Sequence, residues 1–428
     1  MIPFIVIALL FTLLAFGTPV GFAMTISGAL GLYMVGGMTA VIAIFSSTPH
    51  DSAAVYMFVV IPMFLLMAEF VLRSGIADDL YTAASAWCGR LPGGLGIATA
   101  FAGAAFGAIC GSSTASAATL SSTSLKAMIE RGYEPRMAAG VVAISGTLAM
   151  LIPPSVAMVI YGLIADVNVG QLLIAGIIPG IVVMTTIIVT TIFLAIQDPK
   201  RAPVPIKVSL MEKIKLTRLV GPMLALFVAV SVVIYLGVAT PTEASAFGAF
   251  VAGIFYFTRK KRTLTETFEV ISRSVKTSCM IAVIVLGAHI FSTFFAVTNV
   301  TQHVVTFIGT LDVEPWMVIL GLVLVYLVLG CVMDQLAILV LTIPIAAPLV
   351  QALGFDLVWF GVIVIISAEL GMVTPPMGLN CFIVSKYSGL PLKEIFIGVL
   401  PHVLTHIIAI GILLLFPAIT LWLPNNMH

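Results

Sequence analysis

Charged side chains are scarce in this sequence. Only 9% of its 428 residues are Asp, Glu, Lys or Arg, whereas 61% are hydrophobic. Because a soluble domain normally carries about a quarter charged residues, a water-soluble globule is excluded. The apolar runs are long and unbroken, with room for about nine to twelve helices of about 20 residues, and they lack the alternation of a membrane β-barrel. The sequence therefore predicts an all-α polytopic protein embedded in a lipid bilayer.

Paired cysteines and the short motifs of common enzymes are missing as well. The five cysteines are scattered, without a CxxC pair or a histidine at metal-ligand spacing, and are interpreted as small core residues. No GxSxG, HExxH or Walker A motif occurs, and no GxGxxG in a strand–helix context. The net charge of +1 gives no indication of nucleic-acid binding. No enzyme activity is predicted, and the energy for any transport must come from an ion gradient or a partner.

The 19 Lys and Arg residues predict the orientation of the chain, since basic residues stay preferentially on the cytoplasmic side of the membrane. Twelve of them fall in two polar links, 198–218 and 259–276. When both links are placed inside and the apolar runs are followed outward from them, all 19 come to the inside. This arrangement predicts a cytoplasmic N-terminus and a periplasmic C-terminus. It also requires the segments 93–125 and 315–350 to enter and leave by the same face, so each is predicted to be a re-entrant helical hairpin.

The two halves of the chain match at a constant shift of 222 residues, which places Ser145–Pro154 on Ser367–Pro376 and Ser112 on Asp334. Because the first half is predicted to start outside and the second inside, the repeats are inverted, as in secondary transporters with alternating access. The predicted organisation is an N-terminal scaffold helix and outer loop (1–53), a first repeat (54–197) with hairpin 93–125 and broken helix 137–165, a scaffold helix pair with basic cytoplasmic links (198–276), and a second repeat (277–423) with hairpin 315–350 and broken helix 357–385.

Each repeat has a double proline in the middle of an apolar run, Pro153-Pro154 and Pro375-Pro376. A proline pair removes two NH donors and frees carbonyl groups in the preceding turn. A single proline is usually a kink that neighbouring helices satisfy, but two pairs at equivalent positions favour a functional break. The freed carbonyls are hard oxygen ligands suited to Na+. The sequence thus predicts two broken helices with a cation site at each break.

Polar residues of the two hairpins are candidate ligands. Ser112 and Ser113 occupy the expected tip of the first hairpin, whereas Ser116 is explained equally well by close helix packing. Asp334 stands at the matching place in the second hairpin, and a carboxylate at membrane depth is by default functional. It could coordinate Na+, carry a coupling proton or cap a half-helix, and Na+ is ranked first because of the nearby proline carbonyls.

The second break is the more polar of the two, since Thr374, Gly378 and Asn380 flank its prolines. Glu369 lies five residues before Thr374, and either membership of this site or a structural hydrogen bond accounts for it. Three histidines in apolar runs have no partners at ligand spacing and are interpreted as core or interface residues: His289, His402 and His406.

The chain combines four distinctive motifs: Gly111-Ser112-Ser113, Pro153-Pro154, Met333-Asp334-Gln335 and Thr374-Pro375-Pro376-Met377-Gly378-Leu379-Asn380. Together they resemble the large membrane subunit of tripartite ATP-independent periplasmic (TRAP) transporters, over essentially the whole chain. The resemblance implies an elevator-type transporter of the bacterial inner membrane with at least two Na+ sites. It also implies a small four-helix membrane subunit, here a separate chain, and a periplasmic protein that delivers an organic acid such as a C4-dicarboxylate or sialic acid.

The resemblance further implies which residues bind the ions and the substrate. One Na+ would lie among the hydroxyls of Ser112 and Ser113 and the carbonyls around Ala149, Ile152 and Pro154. A second Na+ would use Asp334, Thr374 and the carbonyls near Gly371 and Pro376. The residues expected at the substrate are Ser116, Gly378 and Asn380.

Two other functions stay open on the residues alone. A stand-alone Na+/anion symporter of related elevator fold would use similar hairpins and bind its substrate unaided. An intramembrane enzyme would need facing carboxylates, of which only Asp334 is expected at membrane depth.

Overall fold

The structure is a computed structural model that describes residues 2–203, 208–259, 261–310 and 313–427. Every regular element in these ranges is helical, which confirms the predicted all-α class. A helix satisfies all its backbone hydrogen bonds within one segment, as hydrocarbon surroundings require. Three charged residues used to predict the orientation lie outside the described residues: Lys207, Lys260 and Asp312.

The first 53 residues, predicted as a scaffold helix and an outer loop, contain two helical elements, the second of which is kinked at Gly37 (φ 65°). Helix α1 (Ile2–Ala15) is followed by Gly17, whose φ of 79° suits glycine, and Pro19 directly precedes α2 (Val20–Ala54). A left-handed glycine ends a helix readily, and a proline cannot continue the hydrogen bonding of the helix before it. The apolar run 2–36 therefore turns once before the second helix begins.

Residues 54–197, predicted as the first repeat, form a series of mostly short helices. A 3₁₀ turn at Tyr56–Val59 precedes the first of them, a π-helical turn at Ser121–Leu125 follows α6, and a 3₁₀ turn at Thr147–Met150 follows α8. The helices are α3 (Val60–Ser74), α4 (Ile76–Cys88), α5 (Gly94–Cys110), α6 (Ser113–Leu120), α7 (Lys126–Glu130), α8 (Pro135–Gly146), α9 (Val156–Ala165), α10 (Val169–Ala175) and α11 (Ile177–Gln197).

The central segment contributes the helix pair α12 (Leu210–Tyr235) and α13 (Pro241–Arg259), and then the long α14 (Leu264–Val297). The turn before α13 is fixed by Glu243, whose carboxylate accepts hydrogen bonds from the backbone NH of Thr240 at 2.8 Å and from its hydroxyl at 2.9 Å. Helix α14 starts with a capping box, a reciprocal pair of hydrogen bonds between Thr263 and Glu266. Both helices thus begin where side chains satisfy their free NH groups.

The second repeat has the same order of hairpin and broken helix as the first, but the second arm of its hairpin is one helix instead of two. Helices α16 and α17 are joined through Cys331–Asp334, and helices α18 and α19 are separated by residues 372–378. The helices are α15 (Val300–Thr310), α16 (Pro315–Gly330), α17 (Gln335–Ala352), α18 (Leu357–Gly371), α19 (Leu379–Ser388), α20 (Leu392–Leu415) and α21 (Pro417–Asn425).

The first arms of the two hairpins are too short to cross a membrane, whereas α17, the second arm of the second hairpin, is among the helices long enough to do so. Seven helical segments in the described ranges are long and apolar enough to cross a membrane. The first arms of the two hairpins, α5 with 17 residues and α16 with 16, fall short of the roughly 20 that a crossing needs. Each packs against the arm that follows it, α5 against α6 and α16 against α17. The two segments predicted as hairpins are therefore helix–turn–helix units.

The hairpins and broken helices of the two repeats are packed crosswise. Within each repeat the first hairpin arm lies on the first half of the broken helix, α5 on α8 and α16 on α18. The second arm contacts the broken helix of its own repeat as well, α6 on α8 and α17 on α18, and it also reaches the other repeat: α6 packs on α19, and α17 packs on α9. Equivalent helices thus make equivalent contacts, which is the arrangement expected of an internal repeat.

Candidate functional site

The first break, residues 151–155, is built around Pro153-Pro154 and closed by a serine. Helix α8 tightens into the 3₁₀ turn before the prolines, and α9 starts afterwards at Val156. The Ser155 hydroxyl donates to the carbonyl of Met150 at 2.5 Å and accepts from the backbone NH of Met158 at 3.4 Å. One carbonyl freed by the prolines and one free NH of the following half-helix are thereby satisfied within the chain.

The tip of the first hairpin lies against this break. Gly111 has a φ of 56°, and a Cβ placed on it would lie 3.7 Å from the carbonyl oxygen of Pro154. Ser112 then caps α6 by accepting from the NH of Ala115 at 3.4 Å, and its hydroxyl is 3.1 Å from that of Thr114. The predicted Ser112 and Pro154 ligands are therefore brought into one neighbourhood by a glycine whose positive φ disfavours any side chain and whose Cβ would lie 3.0 Å from Val156.

Two further residues predicted for the first cation differ in placement. Ala149 packs directly on Gly107, one turn before the hairpin tip, so its backbone lies against the hairpin. The side chain of Ile152 points elsewhere, since its Cγ1 would lie 2.7 Å from a Cβ on Gly180 of α11. Only its carbonyl group is thus available to a cation at the break.

Ser113 connects the two repeats. Its backbone carbonyl would be 3.2 Å from a Cβ on Gly146, at the end of α8, and its hydroxyl lies 3.8 Å from the Met372 sulfur, at the start of the second break. The residue is fully buried. A single hydroxyl at the hairpin tip therefore borders both broken helices.

The second break, residues 372–378, also satisfies part of its backbone internally. The Thr374 hydroxyl donates to the carbonyl of Leu370 at 2.5 Å, and the NH of Asn380 donates to the carbonyl of Met372 at 3.0 Å. Gly378 has a φ of 52°, and a Cβ there would lie 2.6 Å from the ring of Phe396. The Thr374 oxygen keeps lone pairs for a cation, because in this contact it acts as the donor.

The ligands predicted for a second cation are only partly assembled. Asp334 is exposed and caps α17, with its carboxylate accepting from the NH of Leu336 at 3.1 Å. Gly371 touches the second hairpin, where a Cβ on it would lie 2.6 Å from the Cα of Gly330. Among the contacts described for this region, none joins Asp334 to Thr374 or Pro376. The structure thus places Gly371 against the second hairpin, whereas the Asp334 carboxylate stays at the tip of that hairpin, apart from Thr374 and Pro376.

Apart from the Tyr326 hydroxyl on α16, five serine, asparagine, glutamine and glutamate side chains of these hairpins and broken helices are buried and have at least one oxygen or nitrogen atom without a hydrogen-bond partner in the described chain. Such atoms cost free energy in an apolar interior, so they are the expected lining of a site for a polar ligand. Two of them, Ser116 on α6 and Asn380 on α19, are predicted substrate residues on helices that pack together. The others are Ser145 on α8, Gln335 on α17 and Glu369 on α18.

Sequence reasoning missed Ser145 and Gln335 as site candidates and left Glu369 open. Neither carboxylate oxygen of Glu369 makes a hydrogen bond of good geometry within the described residues, but the Ser113 hydroxyl is a neighbouring donor to this carboxylate. The Gln335 amide donates weakly to the carbonyl of Ile365 at 3.4 Å while its oxygen is unpaired. A polar residue in an otherwise apolar run was the available signal for all three.

The oxygen atoms at the two breaks suit a hard cation. They are serine and threonine hydroxyls, proline-freed carbonyls and one carboxylate, the ligand types that alkali and alkaline-earth ions prefer. Across the described ranges, no three His, Cys, Asp or Glu side chains converge as a metal-binding group. The histidines lie apart from the breaks: His289 hydrogen-bonds Ser52 at 2.7 Å, and His402 and His406 are buried in α20.

Comparison with known proteins gives consistent matches over almost the whole chain. Residues 7–419 match the family described as tripartite ATP-independent periplasmic transporter, DctM component. The C4-dicarboxylate TRAP transporter large permease protein DctM of Pseudomonas aeruginosa is 34% identical over 385 residues, covering 90% of this chain and 88% of that protein. The sialic acid TRAP transporter large permease protein SiaM of Vibrio cholerae is 31% identical over 372 residues, covering 85% of each.

A solved structure shares the fold. The YdaH transporter of Alcanivorax borkumensis superposes with a TM-score of 0.68, covering 90% of this chain and 89% of that one. The sequence identity between the two is 14%, so the likeness concerns the fold alone.

Proposed function

Because the chain belongs to the DctM family of large permease subunits of TRAP transporters, we propose that it performs Na+-coupled secondary active uptake of a small organic acid. The relatives are transporter permeases, so the family favours transport over the intramembrane enzyme considered from the residues. The observation that carries the proposal is the contact of the first hairpin tip with both broken helices through Ser113.

The first Na+ site of this proposal lies between the hairpin tip and the first break. Its ligands are the hydroxyls of Ser112 and Ser113 with carbonyls of Ala149, Ile152 and Pro154. Gly111 and Gly107 support it, because their missing side chains let the hairpin backbone approach the break. Bound Na+ would join two segments that otherwise touch only through small residues, and so fix the hairpin on the broken helix.

The second Na+ site is proposed at the second break, with Asp334, Thr374 and carbonyls near Gly371 and Pro376 as ligands. The contact of Gly371 with Gly330 supports it, since it holds the second hairpin beside the break. Asp334 caps α17 in this conformation, and a small movement of the hairpin tip would be needed for its carboxylate to reach the other ligands. Ion binding would therefore close this part of the site.

The substrate is proposed to bind between α6 and α19, where Ser116 and Asn380 carry buried polar atoms without partners in the described chain. Gly378 is the N-cap of α19, and the half-helix N-terminus would favour a carboxylate through its dipole and through NH groups other than that of Asn380, which donates to the carbonyl of Met372. The names of the relatives motivate a C4-dicarboxylate or sialic acid as the substrate class. A half-helix end and two neutral polar side chains would hold such an anion without a buried lysine or arginine.

The proposed mechanism is an elevator movement of the two hairpins and broken helices against a scaffold that includes the α12–α13 pair. The fold likeness to another transporter supports it, as does the crosswise packing that makes the hairpins and broken helices one unit. The proposed partners are a small four-helix membrane subunit and a periplasmic binding protein, in the bacterial inner membrane. The proposed orientation keeps the N-terminus cytoplasmic and the C-terminus periplasmic.

Uptake by proteoliposomes tests the proposal. The chain with its small subunit is reconstituted, a binding protein loaded with a radiolabelled organic acid is added outside, and inward gradients of Na+ or K+ are compared. Uptake that requires both the Na+ gradient and the binding protein is expected. Full uptake without the binding protein would favour the stand-alone Na+/anion symporter, and uptake that is equal in both gradients would contradict sodium coupling.

A further inference from the structure

A continuous apolar groove runs between α5 and α12. It consists of two adjoining cavities of about 400 and 270 Å³, which share Phe101, Ala105 and Leu224. Alanines of α5 form its floor, and larger side chains of α11 and α12 form its rims. We call this feature the α5–α12 groove; the lining side chains that contain polar atoms are Trp87, Cys88, Thr217 and Ser231.

The rims of the groove are open rather than covered by protein. Phe101 is 41% exposed, Ile181 51% and Val228 54%. All lie on helices that the composition places in the membrane, where hydrocarbon rather than water meets such side chains. From Thr217 to Ser231 the groove follows 14 residues of α12, about 21 Å at the helical rise, which exceeds the roughly 15 Å of one leaflet. It is long enough for an acyl chain.

One end of the groove carries a cation held in an unusual position. Lys213 lies one turn before Thr217 on the same face of α12, is only 8% exposed, and places its Nζ 5.3 Å from the centre of the Trp87 ring. The Trp87 indole NH donates to the Thr217 hydroxyl at 2.7 Å. No carboxylate of the described chain forms an ion pair with Lys213. The Lys213 ammonium at the end of the groove therefore has no ion-pair partner within the described chain.

We propose that the α5–α12 groove binds an anionic phospholipid, with one acyl chain along α12 and the phosphate at Lys213. A basic residue between helices at the cytoplasmic side is the usual recognition element for an acidic lipid head group. Tryptophan at that level is typical of the membrane interface, where its indole borders both polar and apolar surroundings. The exposed Arg90 and Arg218, which flank the Trp87 and Thr217 positions in the sequence, add to the positive field.

The lipid would join parts that the proposed function sets in relative motion. The floor of the groove, α5 and Ile152, belongs to the first hairpin and the first break, whereas its opposite rim is α12 of the scaffold pair. An acyl chain between α5 and α12 would take the place of direct protein contacts between these two parts. Any effect of the lipid on uptake rests on the proposed function, but lipid binding itself does not.

Tryptophan quenching tests the site directly. The full chain is placed in phosphatidylcholine nanodiscs with increasing fractions of brominated phosphatidylglycerol or brominated phosphatidylcholine, and the part of the fluorescence that Trp87→Phe removes is followed. Half of the Trp87 fluorescence is expected to be quenched at a fraction of phosphatidylglycerol about fivefold lower than the fraction of phosphatidylcholine required. A single lysine supplies a preference of about this size for an anionic lipid. Equal half-quenching by the two lipids would overturn the proposal.

Two substitutions locate the charge. Lys213→Ala should abolish the preference for phosphatidylglycerol, whereas Lys215→Ala, which removes the same charge from an exposed position on α12, should retain it. An equal loss in both variants would mean a general surface attraction and contradict a built site. Millimolar inorganic phosphate should leave the quenching unchanged; if it removes the lipid preference, Lys213 binds free phosphate and not a lipid head group.

A third substitution fills the apolar part. Ala105→Phe places a ring where both cavities meet, so the preference for phosphatidylglycerol should be lost, and the exposed Trp87 should be quenched equally by the two lipids. Ala105→Leu is a second filling variant if the larger one fails to fold. Quenching that disappears when the small membrane subunit is added would instead assign the groove to a protein helix and overturn the lipid proposal. Lipid binding without sodium-driven uptake would leave this site standing and contradict the proposed function alone.

Discussion

The hydroxyl of Ser113 lies 3.8 Å from the sulfur of Met372, although 259 residues separate them in the chain. Ser113 starts the second arm of the first hairpin, and Met372 starts the break in the second repeat. The pair is therefore a direct contact between the hairpin of one repeat and the broken helix of the other. A ligand that binds at the hairpin tip changes the surroundings of both breaks.

Ser113→Ala is expected to raise the Na+ concentration for half-maximal uptake about tenfold. The substitution would remove one ligand of the proposed Na+ site, and a hydrogen bond or ligand contact to a charge contributes about 1.5–3 kcal/mol. Sodium titration of uptake in proteoliposomes measures the effect. Ser124→Ala is the matched control, because this buried serine of the same hairpin donates only to the carbonyl of Leu120. The same shift in both variants would show that Ser113 has no ligand role.

Asp334→Ala is expected to weaken sodium binding more than it lowers the free energy of unfolding. Loss of the helix cap alone costs about 1 kcal/mol, since the carboxylate is exposed and accepts one backbone NH. Asp356→Ala removes the equivalent cap of α18, an acceptor for the NH of Trp359 at 2.9 Å, and is the control. Thermal unfolding in detergent should give similar losses for the two variants, and only Asp334→Ala should change the sodium titration. Unchanged sodium dependence in Asp334→Ala would refute its proposed role.

Gly378→Ala is expected to destabilise the protein more than Gly389→Ala. Both glycines have a positive φ, 52° and 72°, so each substitution carries a conformational cost of about 1–2 kcal/mol. A methyl group on Gly378 would also meet the ring of Phe396 at 2.6 Å, whereas the space around Gly389 is open. The overpacking adds about 1–3 kcal/mol. Equal midpoints in thermal unfolding would mean that Phe396 moves aside at no cost.

Asp79→Ala is expected to lower the free energy of unfolding by about 1–2 kcal/mol, because it breaks a half-buried, charge-assisted hydrogen bond. The Arg259 guanidinium donates to Asp79 at 2.6 Å and ties the end of α13 to α4. Asp78→Ala, at the exposed neighbouring position, is the control and should change little. Chemical unfolding at low and high salt measures both. A salt-independent loss, or the same loss in the control, would show that the ion pair does not stabilise the chain.

The local chemistry of the sequence predicts the interruptions of the helices well. Pro153-Pro154 and Pro375-Pro376 mark the two breaks because a residue without an NH group cannot continue the helical hydrogen bonding. The tip of the first hairpin falls at Gly111 and Ser112 for a similar reason, since a left-handed glycine followed by a capping serine ends one helix and starts the next. These features depend on a few neighbouring residues.

Contacts between distant segments could not be predicted in the same way. Hydrophobic periodicity shows which residues share a helix face but not which other helix packs against that face. The contact of Ser113 with Met372 therefore could not be predicted from it. The unpaired oxygens of Glu369 depend on every helix around α18. The division of residues 2–36 at Gly17 was overlooked because a single glycine in an apolar run is also compatible with one continuous helix.

The crosswise packing of α6 on α19 and of α17 on α9 couples the two hairpins, so cooperative ion binding is expected. Under the proposed sodium coupling, an ion that fixes one hairpin would also order the half-helix of the opposite repeat that packs on it. The next ion would then bind a partly assembled pocket at a smaller cost in conformational entropy. Sodium activation should then be steeper than hyperbolic. A loosened hairpin in either repeat should flatten that curve as well as shift it.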